Sequence, residues 1–274
     1  MMTYLVALLI AYAAILLVLR LFEPRMIFFP YIPGRLSGDW NPPGLKKEDV
    51  WIRTSDGVKL HAWWIPVAGA EFTVIAFHGN AGNVPMRADT YEVLHALPAS
   101  VLAVEYRGYG KSEGTPSEQG MYLDALAAYD YVARNAAAAL ATRVIVFGQS
   151  LGTVPAAYLA AERDVRGIIL EAPFPSAREV AKWAYPFLPG IAGVMRSRME
   201  TSRYLEKSKA PLLVVHCERD PVMPFAMGER VFRDAREPKW FFRVPGECHE
   251  EASLVAPEEY RARLREFLQQ VRQQ

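Results

Sequence analysis

Short β-branched runs and helical segments alternate along most of the 274-residue chain, and this alternation leaves few fold classes open. Two β-rich runs meet at Asp56-Gly57, which is a strong hairpin signal. The other runs are apolar without a polar alternation, so both faces of their sheet should be covered. The sequence therefore predicts an α/β fold with a mostly parallel eight-stranded sheet and helices on both faces. The six non-hairpin runs lie at 73–79, 101–106, 143–148, 166–170, 211–216 and 239–245.

The α/β domain is expected to occupy residues 49–274 as one unit, since chains of this length commonly bury a single large core. An irregular connector rich in Pro and Gly is expected at 25–48, after an N-terminal helix at 1–24. Residues 173–208 are too long for an ordinary connection between a strand and a helix. They predict either a small cap over a site or a surface helix packed on the sheet, and the two readings are compatible.

The N-terminal stretch Tyr4–Leu19 is apolar and uncharged, and the residues after Arg20 extend it to about the 20 residues that span a bilayer. A cleaved signal peptide is the alternative, but no basic region precedes the stretch and its AYAA sequence comes too early. A buried core helix would carry a polar stripe, which this stretch lacks. The sequence predicts a single-pass membrane anchor, and the arginines that follow it favour a cytoplasmic domain.

The composition excludes several classes of protein. A net charge of +1 provides no basic face for nucleic acid. Two cysteines cannot build a disulfide framework or a four-ligand zinc site. The RGYGKSEG stretch has neither the glycine spacing of a dinucleotide fold nor the GK[ST] of a P-loop. We therefore expect no metal and no cofactor.

The sequence GQSLG at 148–152 lies between a β-rich run and an Ala-rich helix. A G-x-S-x-G pattern in this setting is typical of a nucleophile elbow, in which a strained turn exposes the serine at the end of its strand. Small residues on either side of Ser150 let the strand and the helix pass closely. The sequence therefore predicts Ser150 as a catalytic nucleophile.

A serine nucleophile needs a base to accept its proton and an acid to orient that base. Asp220 and His249 each follow a predicted strand, at the sheet edge where an open α/β fold places its site. With the chain order nucleophile, acid, base, His249 is the one histidine available after Asp220. Glu171 and Asp234 remain the alternative acids.

Acyl transfer also needs donors for the developing oxyanion. The backbone N–H of Asn80, in the loop after the run at 73–79, is one candidate, and that of Leu151 is the other. His78 and His216 are expected to tie loops together by hydrogen bonds.

These motifs resemble the α/β-hydrolase fold, and more narrowly the membrane-anchored ABHD branch with its bacterial relatives. The resemblance covers almost the whole chain through FHGNAGN (77–83), EYRGYGKSEGTPSEQGMYLDA (105–125), GQSLGTVPAAYLA (148–160), HCERDPVMP (216–224) and the terminal His249. It implies Ser150, Asp220 and His249 as a catalytic triad, with Asn80 and Leu151 at the oxyanion hole. It also implies lipid-like acyl esters or thioesters as substrates, although the cysteine-rich N-terminus of the depalmitoylases is missing.

This chain departs from the family at Cys217 and Cys248, where relatives usually carry small residues. Both cysteines follow strands that should be neighbours in this fold. The sequence is therefore compatible with a disulfide between them and with two free thiols. Relatives with a single span often face away from the cytosol, against the positive-inside argument. We slightly favour an extracytoplasmic, periplasmic location for the catalytic domain.

The resulting hypothesis is a membrane-anchored serine hydrolase of carboxylic esters or thioesters. The expected substrate-binding residues are Trp183, Tyr185, Phe187 and Met223. A serine peptidase of the prolyl-oligopeptidase type and a non-catalytic, hydrolase-like binding scaffold are the alternatives. A homodimer through the N-terminal helix is left open by small residues at Ala7 and Ala11, or Ala14.

Overall fold

A computed structural model describes residues 2–136 and 143–273. Its described residues form one eight-stranded sheet with the order β1-β2-β4-β3-β5-β6-β7-β8. The first two strands and their neighbour β4 pair antiparallel, and all later neighbours pair parallel. The predicted α/β-hydrolase fold is thus confirmed. The strands are β1 Glu48–Arg53, β2 Lys59–Ile65, β3 Phe72–Phe77, β4 Ala99–Val104, β5 Val144–Gln149, β6 Gly167–Glu171, β7 Leu212–Cys217 and β8 Lys239–Val244.

Helices cover both faces of the sheet, as the uninterrupted apolar strands require. In β3, Ile75 and Phe77 face one hydrophobic core while Val74 and Ala76 face the other. The first core includes α3, α4 and α8, and the second includes α2 and α10. The helices of the α/β domain are α2 Ala88–His95, α3 Glu118–Asn135, α4 Thr153–Glu162, α5 Ala177–Ala184, α6 Ile191–Val194, α7 Thr201–Leu205, α8 Phe225–Asp234, α9 Ala252–Val255 and α10 Pro257–Arg272.

The N-terminal helix α1 spans Met2–Ile27, three residues beyond the predicted end at 24. Pro24 lies in its last turn, and Phe28 N still donates to the Pro24 carbonyl. The helix is long and apolar enough to cross a membrane, and no part of its most apolar 18-residue window is buried. A core helix of a soluble domain would be covered, so this exposure argues against that alternative.

One stripe of α1 packs against the segment that contains α5, α6 and α7. This stripe is less exposed than the rest of the helix, and its members recur at helical spacing. Residues of this segment line a cavity together with Ser150, at the carboxyl edge of the sheet. We call this segment the cap. The stripe consists of Tyr12, Leu16, Leu19, Arg20, Glu23 and Ile27.

Candidate active site

Ser150 lies on a sharp turn between β5 and α4. Its φ is +50°, in the left-handed region that non-glycine residues rarely adopt. A Cβ at Gly148 would overlap the carbonyl oxygen of Gly152, and a Cβ at Gly152 would overlap that of Phe77. Only glycine therefore fits on either side of the serine. This turn holds the Ser150 hydroxyl at the carboxyl end of the central strand.

The structure brings Ser150, His249 and Asp220 into one hydrogen-bonded chain. His249 Nε2 lies 2.9 Å from Ser150 Oγ, and His249 Nδ1 lies 2.7 Å from Asp220 Oδ2. The serine is 99 residues from the histidine in sequence, and loops after β5, β7 and β8 supply the three side chains. With Nδ1 protonated, Nε2 is an acceptor for the serine proton. This arrangement can carry out nucleophilic acyl transfer.

The Asp220 carboxylate is held in its ionised form. Burial opposes the charge, but hydrogen bonds from His216 and His249 outweigh that effect, and the pKa of Asp220 lies well below its ordinary value. Its other oxygen, Oδ1, accepts from the backbone N–H groups of Val222 and Met223 at 2.8 and 2.7 Å. His216 also donates to the Met223 carbonyl, so it ties this loop together as expected.

His249 is a stronger base than a free histidine. Burial alone would lower its pKa, but the hydrogen bond and negative charge of Asp220, with the charges of Glu250 and Glu251, raise the pKa above its ordinary value of 6.5. A base with a raised pKa accepts the serine proton more readily once it is neutral.

Neither alternative acid contacts His249. Glu171 is buried and accepts from Gln149, Ala252 and Tyr260. Burial raises the pKa of Glu171 to about 7, which these hydrogen bonds only partly oppose. Asp234 lies in the last turn of α8, near Arg230 and Arg233. Of the three carboxylates, only Asp220 can orient the histidine.

Asn80 and Leu151 both line the cavity in front of Ser150. Leu151 directly follows the serine in a 3₁₀ turn, while Asn80 follows β3. The Asn80 side chain donates to the carbonyl of Ile27, the last residue of α1. The loop that carries Asn80 is therefore attached to the N-terminal helix, a contact that the sequence analysis did not anticipate.

Two glutamates that the sequence analysis missed hold this loop in place. Glu105 accepts from His78 at 3.1 Å and from the backbone of Val84 at 3.1 Å. Glu250 bonds to Arg87 at 2.7 Å and lies so close to Gly79 that a Cβ there would overlap it. Because Glu250 follows His249 in sequence, it links the histidine loop to the Asn80 loop. Its position next to His249 was the feature of the sequence that could have indicated this role of Glu250.

Cys217 and Cys248 form a disulfide, with their Cα atoms 5.6 Å apart. Cys217 ends β7, three residues before Asp220, and Cys248 directly precedes His249. The bond therefore joins the loop of the carboxylate to the loop of the histidine. Of the two possibilities that the sequence left open, the structure has the bridge.

A cavity of about 220 Å³ lies in front of Ser150, lined mostly by apolar side chains. Tyr185 and Met223 are part of its wall, as predicted for substrate-binding residues. Trp183 and Phe187 are not, and their side chains are 48% and 72% exposed. The face of α5 that borders the cavity is a different one. That face consists of Ala177, Val180, Ala181 and Ala184.

The N-terminal helix supplies a wall of the cavity that the sequence analysis missed. Leu19, Met26 and Ile27 contribute apolar side chains. Glu23 is buried in the same wall, and its two oxygens accept from the backbone of Arg196 and Ser197 at 2.7 Å each. The carboxylate thus holds the base of the cap against α1. No local pattern in the sequence indicates this contact.

Among the residues that the structure describes, no cluster of three or more His, Cys, Asp or Glu side chains could hold a metal ion. The polar groups at the site instead satisfy one another by hydrogen bonds. The chemistry available there is that of the serine, the histidine and the backbone donors.

Comparison with known proteins points to the same chemistry. The family described as serine aminopeptidase, S33, matches residues 69–207, a range that includes Ser150. An uncharacterized protein of Mycobacterium tuberculosis is 35% identical over 236 residues, which cover 85% of this chain and 82% of that protein. The lysophosphatidylserine lipase ABHD12 of Mus musculus is 33% identical over 215 residues, covering 70% of this chain and 52% of the lipase. The esterase Pf2001 of Pyrococcus furiosus superposes with a TM-score of 0.70 at 25% identity, covering 89% of this chain and 99% of the esterase.

Proposed function

Because this chain belongs to the α/β-hydrolase superfamily, in the family described as serine aminopeptidase, S33, it is a hydrolase, and we propose that it is a membrane-anchored serine hydrolase of acyl esters or thioesters. The substrate class that we assign is lipid-like, with lysophospholipids and acyl thioesters as the leading candidates. The similarity to a lysophosphatidylserine lipase and to an esterase supports this class.

The observation that carries the proposal is the hydrogen-bonded chain of Ser150, His249 and Asp220 at one end of an apolar cavity. An apolar cavity binds an acyl chain by removing it from water, at roughly 25 cal/mol per Å² of apolar surface buried. The chain would lie with its carbonyl group beside Ser150. The strained turn and the raised pKa of His249 support a serine prepared for attack.

In the proposed reaction, Ser150 Oγ attacks the acyl carbonyl carbon while His249 Nε2 accepts the hydroxyl proton. Asp220 holds Nδ1–H and stabilises the imidazolium that forms. The backbone N–H groups of Asn80 and Leu151 would donate to the negatively charged oxygen of the tetrahedral intermediate. The intermediate then collapses, and His249 gives its proton to the departing alcohol or thiol. Water repeats the sequence on the acyl-enzyme and releases the acid.

The name of the matching family makes peptide amides the second candidate. An aminopeptidase would need a carboxylate to bind the free amine of its substrate. Among the described residues that line the cavity, Glu23 is the one carboxylate, and backbone N–H groups already occupy both of its oxygens. This arrangement favours the ester over the peptide.

The proposal is tested by fluorophosphonate labelling and by hydrolysis of 4-nitrophenyl esters, with wild type and Ser150→Ala in parallel. We expect the variant to lose labelling and to lose activity by a factor on the order of 10⁶. A variant that keeps full ester activity would contradict the mechanism. Cleavage of aminoacyl 4-nitroanilides as fast as the best esters would favour the peptidase, and failure of the wild type to label would favour a non-catalytic scaffold.

We assign membrane anchoring to α1. Its length, its hydropathy and its exposure support a span, with a mean hydropathy of 2.7 over the most apolar window. Removal of α1 as a signal peptide would take away a wall of the cavity, which supports its retention in the mature protein. Resistance of the full chain to extraction by alkaline carbonate tests this assignment, and release into the soluble fraction would contradict it.

We also propose that the α/β domain faces an oxidising compartment, on the extracytoplasmic side. The disulfide between Cys217 and Cys248 supports that side, since cytosolic thiols are kept reduced. Alkylation of freshly isolated protein without reductant tests it. Two alkylated thiols per chain would place the domain in the cytosol.

A further inference from the structure

The cap contains an uncharged segment that the proposed chemistry does not use. Residues 183–195, which we call the cap tip, are thirteen consecutive residues without a charge, between Lys182 and Arg196. An apolar segment of this length is too short to span a bilayer and is found in buried core helices and in re-entrant or interfacial elements. Several of its apolar side chains are exposed, Phe187 most of all at 72%. The cap tip therefore presents an apolar surface with no covering group within the described residues.

The cap tip runs alongside α1. The Tyr12 hydroxyl donates to the carbonyl of Pro189, and the Arg20 guanidinium donates to the carbonyl of Val194. Tyr12 and Arg20 are eight residues apart, which is about 12 Å along the helix axis. The tip thus follows the apolar part of α1 away from the α/β domain. If α1 spans the bilayer, the tip lies at the same depth as the turns of α1 between Tyr12 and Arg20.

Much of the backbone of the cap tip has hydrogen-bond partners within the protein. Irregular backbone enters hydrocarbon only where its polar groups find partners within the protein. Here the N–H groups of Leu188, Ile191 and Gly193 donate to carbonyls three residues earlier. The α1 donors described above satisfy two further carbonyls. The prolines in the tip have no N–H to satisfy.

The cavity joins this surface to Ser150. Its wall includes Leu19 on α1, together with Ile191 and Val194 of the cap tip. Leu19 is the last residue of the uncharged run of α1, next to Arg20 at the expected edge of the hydrocarbon. The cavity that Ser150 lines is therefore also bordered by α1 beside Arg20 and by the cap tip.

From this arrangement we infer that the cap tip is embedded in the bilayer beside α1, and that acyl chains enter the cavity from the lipid between Leu19 and Ile191. The inference rests on the membrane anchoring proposed above. Its partner is a lipid surface, because the tip is continuous with α1, lacks charge and is bounded by cations that suit the level of the headgroups. The lipid substrate would reach Ser150 without passing through water.

A nitroxide at position 187 reports its own depth. Phe187→Cys is compared with Gln270→Cys, an exposed position on α10, in the full chain reconstituted into dioleoylphosphatidylcholine vesicles. The native cysteines are bridged and do not take the label. We expect oxygen to relax the label at 187 more strongly than a water-soluble nickel chelate does, with the reverse at 270. Equal nickel accessibility at both positions would overturn the inference. Protection of 187 from both reagents would do so as well, because it indicates a protein partner or a second copy.

Activity measurements separate this inference from the proposed function. Phe187→Asp, with Phe187→Leu as its matched control, is assayed in vesicles on soluble 4-nitrophenyl butyrate and on vesicle-embedded 4-nitrophenyl palmitate. We expect the aspartate to lower the palmitate rate about tenfold or more and to leave the butyrate rate unchanged, since a carboxylate is expelled from hydrocarbon. Equal loss on both esters, or none on either, would overturn the inference. Ser150→Ala serves as the reference: if it abolishes both rates while Phe187→Asp changes neither, the proposed function stands and only the membrane entry fails.

Discussion

The two sides of the cavity are held together in different ways. On the side of the sheet, Asp220 and His249 are fixed by short hydrogen bonds, by a disulfide and by the pairing of β7 with β8. On the side of α1 and the cap, short helices meet through apolar contacts and a few polar ones, of which the buried Glu23 is the strongest.

This difference separates rate from selectivity. Changes on the side of the sheet should alter the rate for every substrate, because in the proposed mechanism every acyl group reacts at Ser150. Changes on the side of α1 should alter which acyl chains reach the serine, because Leu19 and its neighbours line the cavity that the acyl chain would occupy. Four variants test that separation.

Asp220→Asn should have the largest effect. The NH2 group of asparagine can donate to His249 Nδ1, which favours the tautomer protonated at Nε2, so the rate falls roughly 10⁴-fold for short and long esters alike. Asp234→Asn, at the alternative acid on α8, is the control and should keep its rate. Esterase assays at two chain lengths measure both, and a loss confined to long chains would contradict the separation.

The double variant Cys217→Ser/Cys248→Ser should lower the free energy of unfolding rather than the catalytic rate. The disulfide closes a loop with a sequence separation of 31 residues, and such a constraint contributes about 3–4 kcal/mol in the loop-entropy treatment. Denaturant unfolding of the wild type with and without reductant should reproduce the difference. The double variant should show no response to reductant, and a response there would show that the reductant acts elsewhere.

Leu19→Trp should sharpen chain-length selectivity. The larger side chain takes up space in the cavity beside α1, so we expect palmitate hydrolysis to fall about tenfold or more relative to butyrate. Leu21→Trp is the matched control, since Leu21 is two residues away on the same helix and 56% exposed. Similar changes in both variants would mean that α1 does not contact the acyl chain.

Glu251→Gln should have the smallest effect, a displacement of the pH profile. His249 must be neutral to accept the serine proton, so kcat/KM rises with pH through its raised pKa, and the acid limb should lie above pH 6.5. The charge of Glu251 is one cause of that raised pKa, so its removal should move the limb to lower pH. A limb displaced upward, or a wild-type limb below 6.5, would contradict this account.

The sheet and the position of Ser150 were predictable because their signals are local. Apolar runs with short helices between them specify buried parallel strands, and Gly148 and Gly152 specify the tight turn at the serine. The cap was also expected from the length of its connection. These features depend on residues within about twenty positions of one another.

The choice among acids and the lining of the cavity needed the folded chain. Glu171, at the end of β6, and Asp220 and Asp234, later in the chain, are all carboxylates, and only the distance to His249 distinguishes them. Trp183 and Tyr185 are two residues apart, yet Trp183 is exposed and Tyr185 lines the cavity.

Local sequence was therefore sufficient for the fold class, the strained serine turn and the apolar character of α1. The tertiary structure decided that Cys217 forms a disulfide with Cys248, that Glu23 binds the backbone of the cap and that Leu19 forms part of the cavity wall. The reason is physical: strand, helix and turn preferences act between near neighbours along the chain. The wall of a cavity is set by packing between segments that can be more than 170 residues apart, as Glu23 and Arg196 are.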